Sequence, residues 1–279
     1  MIELESNLSK KYRHSLVDWW QNRYCDCLVR YQGKVWFVKK QGIADIRRNL
    51  LASLLGGKLA NVAQVHCLDK ADFSALKNCG ITLPESSNFL NTCLVRFAPD
   101  YNIWELPKKT LESAMAAEIV FSIWIRRRDA HSYNRNFKNG IPVFYDHQTA
   151  FLGEKKLREI DYFFRTGPGP GYAGLWRLDV GDHIEIDTDS LRSQERERFC
   201  GCNHYVALPI RDTNIFHQEL NSMVEEIAAI PKADIRWSVK KARFSFFEQS
   251  AVIRFLQENQ KQLSKDVDLL RSNLKSKNG

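Results

Sequence analysis

Two β-rich runs open the readable part of the chain. In DCLVRYQGKVWFVKK (26–40), CLVRY and KVWFVK flank Gln32-Gly33, and a glycine at the tip predicts a tight hairpin. Next, ADIRRNLLASLLGGKL (44–59) carries apolar residues at helical spacing and stops at Gly56-Gly57. LNTCLVRF (90–97) reads as a further strand ended by Pro99. From Pro107, the positions Leu111, Met115, Ile119, Val120, Ile123 and Trp124 recur mostly at three and four, which predicts a helix to about Arg127 with that face buried. IPVFY (141–145) is a short strand ending at Asp146, 213–230 a helix closed by Pro231, and 246–274 a long amphipathic helix. Its inward positions are Val252, Phe255, Leu256, Leu263, Val267 and Leu270.

The stretch 153–215 has no clear period. It holds TGPGPGYAG (166–174), an acidic run (179–189) and a mixed-charge turn (192–198), and reads as long connecting segments. GPGYAG fits Gly-x-Gly-x-x-Gly literally, but Pro170 stiffens it and no clear helix follows, so it is a poor phosphate loop. It reads either as a segment beside an active site or as a plain surface loop.

The 279 residues suffice for one large domain or two lobes, and 44% hydrophobic with 27% charged residues is an ordinary globular balance. No apolar run approaches the roughly 20 residues that cross a bilayer, and MIELESNLSKKYRH lacks a signal peptide's apolar core, so a cytoplasmic protein with no membrane partner is expected. The charge of +8 comes from 41 basic against 33 acidic residues, in short clusters such as Arg126, Arg127 and Arg128. A mixed solvated surface accounts for most of it, and no nucleic-acid motif accompanies it. Cys25, Cys27, Cys67, Cys79, Cys93, Cys200 and Cys202 form an odd set, expected to be reduced. Cys200-x-Cys202 with His204 offers soft ligands, at a spacing unlike the usual structural zinc pair.

The candidate chemistry sits in DAHSYNRNF (129–137), between the apolar helix and the short strand. Phosphoryl transfer needs an acid near the attacking hydroxyl, oxygen ligands for Mg2+ and a lysine on the nucleotide phosphates. Asp129 would accept or orient the substrate proton, while Asn134 and Asp146 would hold the metal. The alternative is a polar connecting loop whose Asp and Asn cap turns. Lys39 is the candidate lysine because it shares a strand face with Val35 and Phe37, whereas Lys40 points the other way. The competing reading makes both of them solvent lysines at a strand end. His131 and His147 would support the acids, since a neutral imidazole donates from one nitrogen and accepts at the other. Asn136 is either a brace of the loop or a ligand. By order along the chain, backbone groups of Arg96, Phe97 and Ala98 would hold the adenine.

DAHSYNRNF followed by VFYDHQTAF resembles the catalytic loop and metal-binding strand of the HipA-like kinases, and more distantly those of the phosphoinositide 3- and 4-kinases. The pattern falls on Asp129, His131, Asn134, Asn136, Asp146, His147, Ala150 and Phe151. QGKVWFVK is similar to the family's glycine-tipped hairpin ending in an ATP-contacting lysine, and NLLASLLGGKLANV, IAAIP and FLQENQKQL resemble flanking helices. One departure stands out: the helix after the lysine usually brings a Glu, and here RRNLLAS puts Asn49 or Leu50 in its place. Asp45 could replace it only if the helix starts early.

The resemblance implies an α+β, bilobal protein-kinase-like fold with a small β-rich N-lobe (1–99) and a larger, mainly helical C-lobe (100–279). It further implies ATP and Mg2+ as cofactors, a Ser or Thr hydroxyl on a protein substrate as acceptor, and an antitoxin-like partner in a toxin-antitoxin setting. The competing readings are a small-molecule or lipid kinase, a nucleotide-binding pseudokinase that regulates a partner, and a basic nucleic-acid-binding module.

Overall fold

Gln32 and Gly33 both take positive φ, 49° and 69°, the backbone of a two-residue turn whose twist matches the strands it joins. In the computed structural model this turn links β2 (Tyr24–Tyr31) to β3 (Lys34–Lys40), with Tyr31 opposite Lys34. The structure describes residues 2–5, 24–57, 59–97, 108–127, 135–138, 141–145, 147, 150–151, 177–179, 183–185, 208–209 and 213–275.

β1 (Ile2–Leu4), β4 (Val65–Cys67) and β5 (Thr92–Arg96) complete a five-stranded antiparallel sheet in the order β1-β2-β3-β5-β4. Side chains alternate between its faces. On one face Trp36 and Val38 join Val29, Leu68, Phe73 and Leu76 in a core closed by α2 (Lys70–Asn78). On the other, Phe37 packs against a cluster of Ile46, Cys93, Val95, Val143 and Tyr145.

Between β3 and β4 lies α1 (Ile43–Gly56), whose buried side includes Asn49, Leu50, Leu51 and Leu55. Its last residue has no room for a side chain: a Cβ on Gly56 would lie 2.5 Å from the Phe121 ring and 2.6 Å from Val62. The closeness sets the end of α1 against Phe121 of α3 (Lys108–Trp124), and α3 packs on α4 (Thr213–Ala228) and α6 (Phe246–Lys275). Leu51, Phe121, Trp124, Leu220 and Leu256 share this largest core, which therefore draws on both sides of residue 99.

Side-chain bonds fix the helices to one another. The Trp124 indole donates to the Leu256 carbonyl at 3.0 Å, and the Asn259 amide donates to the Trp124 carbonyl at 3.0 Å. Gln260 donates to the Ile227 and Ile230 carbonyls at 2.7 and 3.0 Å, satisfying groups at the end of α4 that have no partner within the helix. α5 (Lys232–Lys241) follows, and α6 begins with a capping box in which Ser245 Oγ accepts from Glu248 N–H (3.4 Å) and Glu248 Oε2 from Ser245 N–H (2.8 Å).

β6 (Arg135–Lys138) and β7 (Ile141–Phe144) form a two-stranded ribbon. It joins the chain leaving α1, because Ala63 N–H donates to Phe144 O (2.8 Å) and Phe144 N–H to Asn61 O (3.2 Å). The stretch read from the sequence as connecting segments contains three short strands, β8 (Arg177–Asp179), β9 (His183–Glu185) and β10 (Leu208–Pro209), in the order β10-β9-β8. The architecture is mixed α+β, with six helices among the described residues. None of those helices is long and apolar enough to cross a membrane.

Candidate functional site

Strand alternation separates the two lysines that end β3. Lys39 lies on the Phe37 face and is 2% exposed, whereas Lys40 is half-buried and its Nζ meets Ser86 Oγ. Burying a lysine in protein is costly unless its charge has a use or a partner. The Lys39 charge acts on His147, which follows Asp146 directly.

The opposite side of this region is built from the end of α3. Ile125 and Arg126 turn the chain out of the helix, with Arg126 at φ 52° and Arg127 N–H bonded to Ser122 O at 2.9 Å. The turn drives the Arg127 guanidinium inward. It pairs with Glu118 at 2.7 Å, donates to the Tyr145 carbonyl at 2.6 Å and lies 3.4 Å from His147 Nε2. Arg126 is fixed separately, by Asp266 of α6 at 2.7 Å.

His147 is 1% exposed, and its ring meets Phe121 edge-on at 6.1 Å. Burial first, then the charges of Arg127 and Lys39, hold its pKa well below the ordinary imidazole value, so the ring is neutral at neutral pH. A neutral ring can present a lone pair at Nε2 to Arg127 and carry its proton on Nδ1. Its backbone is held too, since His147 N–H donates to Asn49 Oδ1 at 2.6 Å. Asn49 in turn donates from Nδ2 to Gln41 Oε1 at 2.9 Å, two residues beyond Lys39.

The residues on either side of Asp146 are thus both anchored. Arg127 holds the carbonyl before it, Asn49 holds the amide after it, and the Tyr145 ring rests 5.9 Å from Phe37. Asp146 itself, with Asp129, His131, Asn134 and Ala98, lies outside the described residues. Asn136 sits on β6 opposite Val143. Of the expected site residues, Lys39 and His147 are both buried, and the Lys39 charge helps to lower the His147 pKa.

The expected hinge residues are already engaged through their amides. Arg96 N–H donates to Gln64 O at 2.8 Å and Phe97 N–H to Val35 O at 3.1 Å. The Arg96 guanidinium donates to that same carbonyl at 2.7 Å and lies 5.7 Å from the centre of the Trp36 ring. Cys67, Cys79 and Cys93 form no disulfide with one another, Cys93 being buried, and Cys200 and Cys202 lie outside the described residues. Among the described residues no three His, Cys, Asp or Glu side chains gather as a metal site.

The sequence assigns no role to Glu118 or Arg127, and marks Asn49 only as one of two residues, with Leu50, at the place of the expected glutamate. Glu118 did carry a signal: a carboxylate beside Ile119 and Val120, inside a helical face otherwise read as apolar, requires a buried cation. Asn49 had none beyond the missing glutamate. No protein-family model matches the chain, and no curated protein shows significant similarity to it.

Proposed function

We propose that the protein is an ATP- and Mg2+-dependent kinase of the HipA-like type, with a Ser or Thr hydroxyl of a protein as acceptor. The observation that carries this reading is the buried Lys39, on a sheet face whose charge acts on His147, the neighbour of Asp146. A buried ammonium beside a fixed acid-bearing segment suits a site that binds phosphate oxygens. In this reading the sheet and its helices form the small lobe of a bilobal protein-kinase-like fold, and α3 to α6 belong to the large one.

Lys39 binds the nucleotide phosphates. Asn134 and Asp146 would hold Mg2+, which would supply positive charge to offset that of the phosphates. Asp129 orients the acceptor hydroxyl and takes its proton as the new O–P bond forms, the bond to the bridging oxygen breaks, and ADP leaves. His147, and with it His131, supports the acids instead of acting as a base. Backbone groups of the stretch that holds Arg96, Phe97 and Ala98 bind the adenine. The acceptor protein and an antitoxin-like partner belong to the same proposal, set in the cytoplasm.

A second reading, a nucleotide-binding pseudokinase, is favoured by one observation: α1 contains no glutamate, and offers Asn49 or Leu50 where the resemblance expects the one that pairs with the lysine. Incubation with γ-labelled ATP, Mg2+ and a cell lysate separates the two. Transfer of label to the chain itself or to a lysate protein, lost in Asp129→Ala and Asp146→Ala, supports the kinase. ATP binding without transfer supports the pseudokinase. A protein-free assay with small alcohols and lipids as acceptors distinguishes the remaining kinase alternatives, and absence of ATP binding overturns both readings.

A further inference from the structure

Asn49 holds the most specific pair of bonds in the region. It lies on α1, is 4% exposed, and uses both halves of its carboxamide. Nδ2 donates to Gln41 Oε1 at 2.9 Å, and Oδ1 accepts from His147 N–H at 2.6 Å, across 98 residues of sequence. Gln41 is itself tied to the sheet, its N–H donating to Asn91 O at 2.9 Å. One side chain thus joins the end of the lysine strand to the peptide that follows Asp146.

A carboxylate could not replace it in full, because an ionised acid accepts hydrogen bonds and donates none. An apolar residue would leave the buried His147 N–H unsatisfied, which backbone amides rarely tolerate. The carbonyl preceding Asp146 is fixed independently by Arg127 at 2.6 Å. With that end held, Asn49 determines where the following peptide lies.

We propose that Asn49 is a positioning residue for Mg2+ binding: its carboxamide bridges Gln41 and the His147 peptide, and so sets the geometry in which Asp146 meets the metal. The proposal rests on the kinase reading above. In place of a charged link to the lysine, α1 supplies a neutral link to the backbone of the metal-holding segment. The helix can then govern metal affinity without competing for the Lys39 charge.

Groups that orient a metal ligand from behind change metal affinity by roughly 10- to 100-fold when removed. Asn49→Leu removes both bonds at similar volume, and Asn49→Asp keeps the acceptor toward His147 while giving up the donor toward Gln41. The measurement is ATP binding by titration calorimetry on the full chain, in EDTA and across a series of Mg2+ concentrations. In Asn49→Leu, the Mg2+ concentration for half-maximal enhancement should rise at least about tenfold, with metal-free ATP affinity unchanged within about twofold. Asn49→Asp should recover most of the Mg2+ response.

An equal loss of ATP affinity with and without Mg2+ would reduce Asn49 to a structural residue, as would an unchanged Mg2+ requirement in a folded Asn49→Leu. If Asn49→Leu does not fold, Asn49→Asp decides alone: its metal-free ATP affinity should be that of the wild type, and a larger loss there than in Mg2+ overturns the proposal. Wild-type protein that binds no ATP would instead remove the kinase reading, and this assignment with it.

Discussion

Glu118 and Arg127 meet at 2.7 Å with side chains 2% and 0% exposed, so each is the countercharge the other requires. Removing one partner strands a buried charge, at a typical cost of about 3–5 kcal/mol, while replacing both by apolar groups costs far less. Urea unfolding should therefore rank Glu118→Leu and Arg127→Met as severely destabilised, with the double variant more stable than either. Losses that simply add would show that the pair is not coupled.

His147 makes stability depend on pH in one direction. Its native pKa lies well below its unfolded value, through burial and the charges of Arg127 and Lys39. Above the unfolded value of about 6.5 both states are deprotonated, and the contribution is constant. Between that value and the native one only the unfolded chain takes up the proton, so stability falls as pH falls, by at most about 1.4 kcal/mol per pH unit. In denaturant titrations from pH 7.5 to 5.5 without divalent ions, wild-type protein should lose more stability than His147→Gln. Parallel losses would place the ring's titration elsewhere.

Gly56 is set by space. A methyl group there would meet Phe121 at 2.5 Å and Val62 at 2.6 Å, and both neighbours belong to the central core. Gly56→Ala should lower stability by about 1–3 kcal/mol, despite alanine's better helix propensity. A stabilised variant would mean that α1 and α3 separate readily.

Phe246 and Phe247 stand 79% and 88% exposed in the first turn of α6, their rings 6.0 Å apart. The capping box starts the helix without them. The Phe246→Ser/Phe247→Ser variant should change stability by no more than about 0.5 kcal/mol per site, as surface substitutions usually do. Light scattering at rising protein concentration should show less self-association. Marked destabilisation would mean that the two rings are packed in solution.

The sequence made the long elements legible because their faces are one-sided. Ile119, Val120, Ile123 and Trp124 are all buried as their spacing predicted, as are Val252, Leu256, Leu263 and Val267, while Leu111, Met115 and Leu270 lie outside the described side chains. The hairpin at Gln32-Gly33 was equally plain, since its backbone needs what glycine supplies. Short elements escaped. β1 and β4 have three residues each, too few for a period to register, and exist through pairing with β2 and β5. α5 begins at Lys232, with Pro231 as its extended N-cap, whereas the sequence marks that proline only as the stop of the preceding helix. α2 shows its cap in hindsight, Asp69 accepting from Asp72 N–H at 2.7 Å.

At the site, alternation separated Lys39 from Lys40, because burial follows strand parity. The braces were not readable. Asn49 and His147 are 98 residues apart, and a hydrogen bond between a side chain and a distant backbone amide leaves no mark on composition or spacing. Arg127 looked like one of three surface arginines and is buried, since the turn after α3 directs it inward.

Leu51, Leu55 and Val62 lie in the same core as Phe121, Leu220 and Leu256, and the chain at 61–63 is stitched to β7 by main-chain bonds. A peptide comprising only the first 99 residues would therefore present that leucine-rich side of α1 to water. Such a fragment should aggregate when made alone, and become soluble when the remainder of the chain is produced beside it.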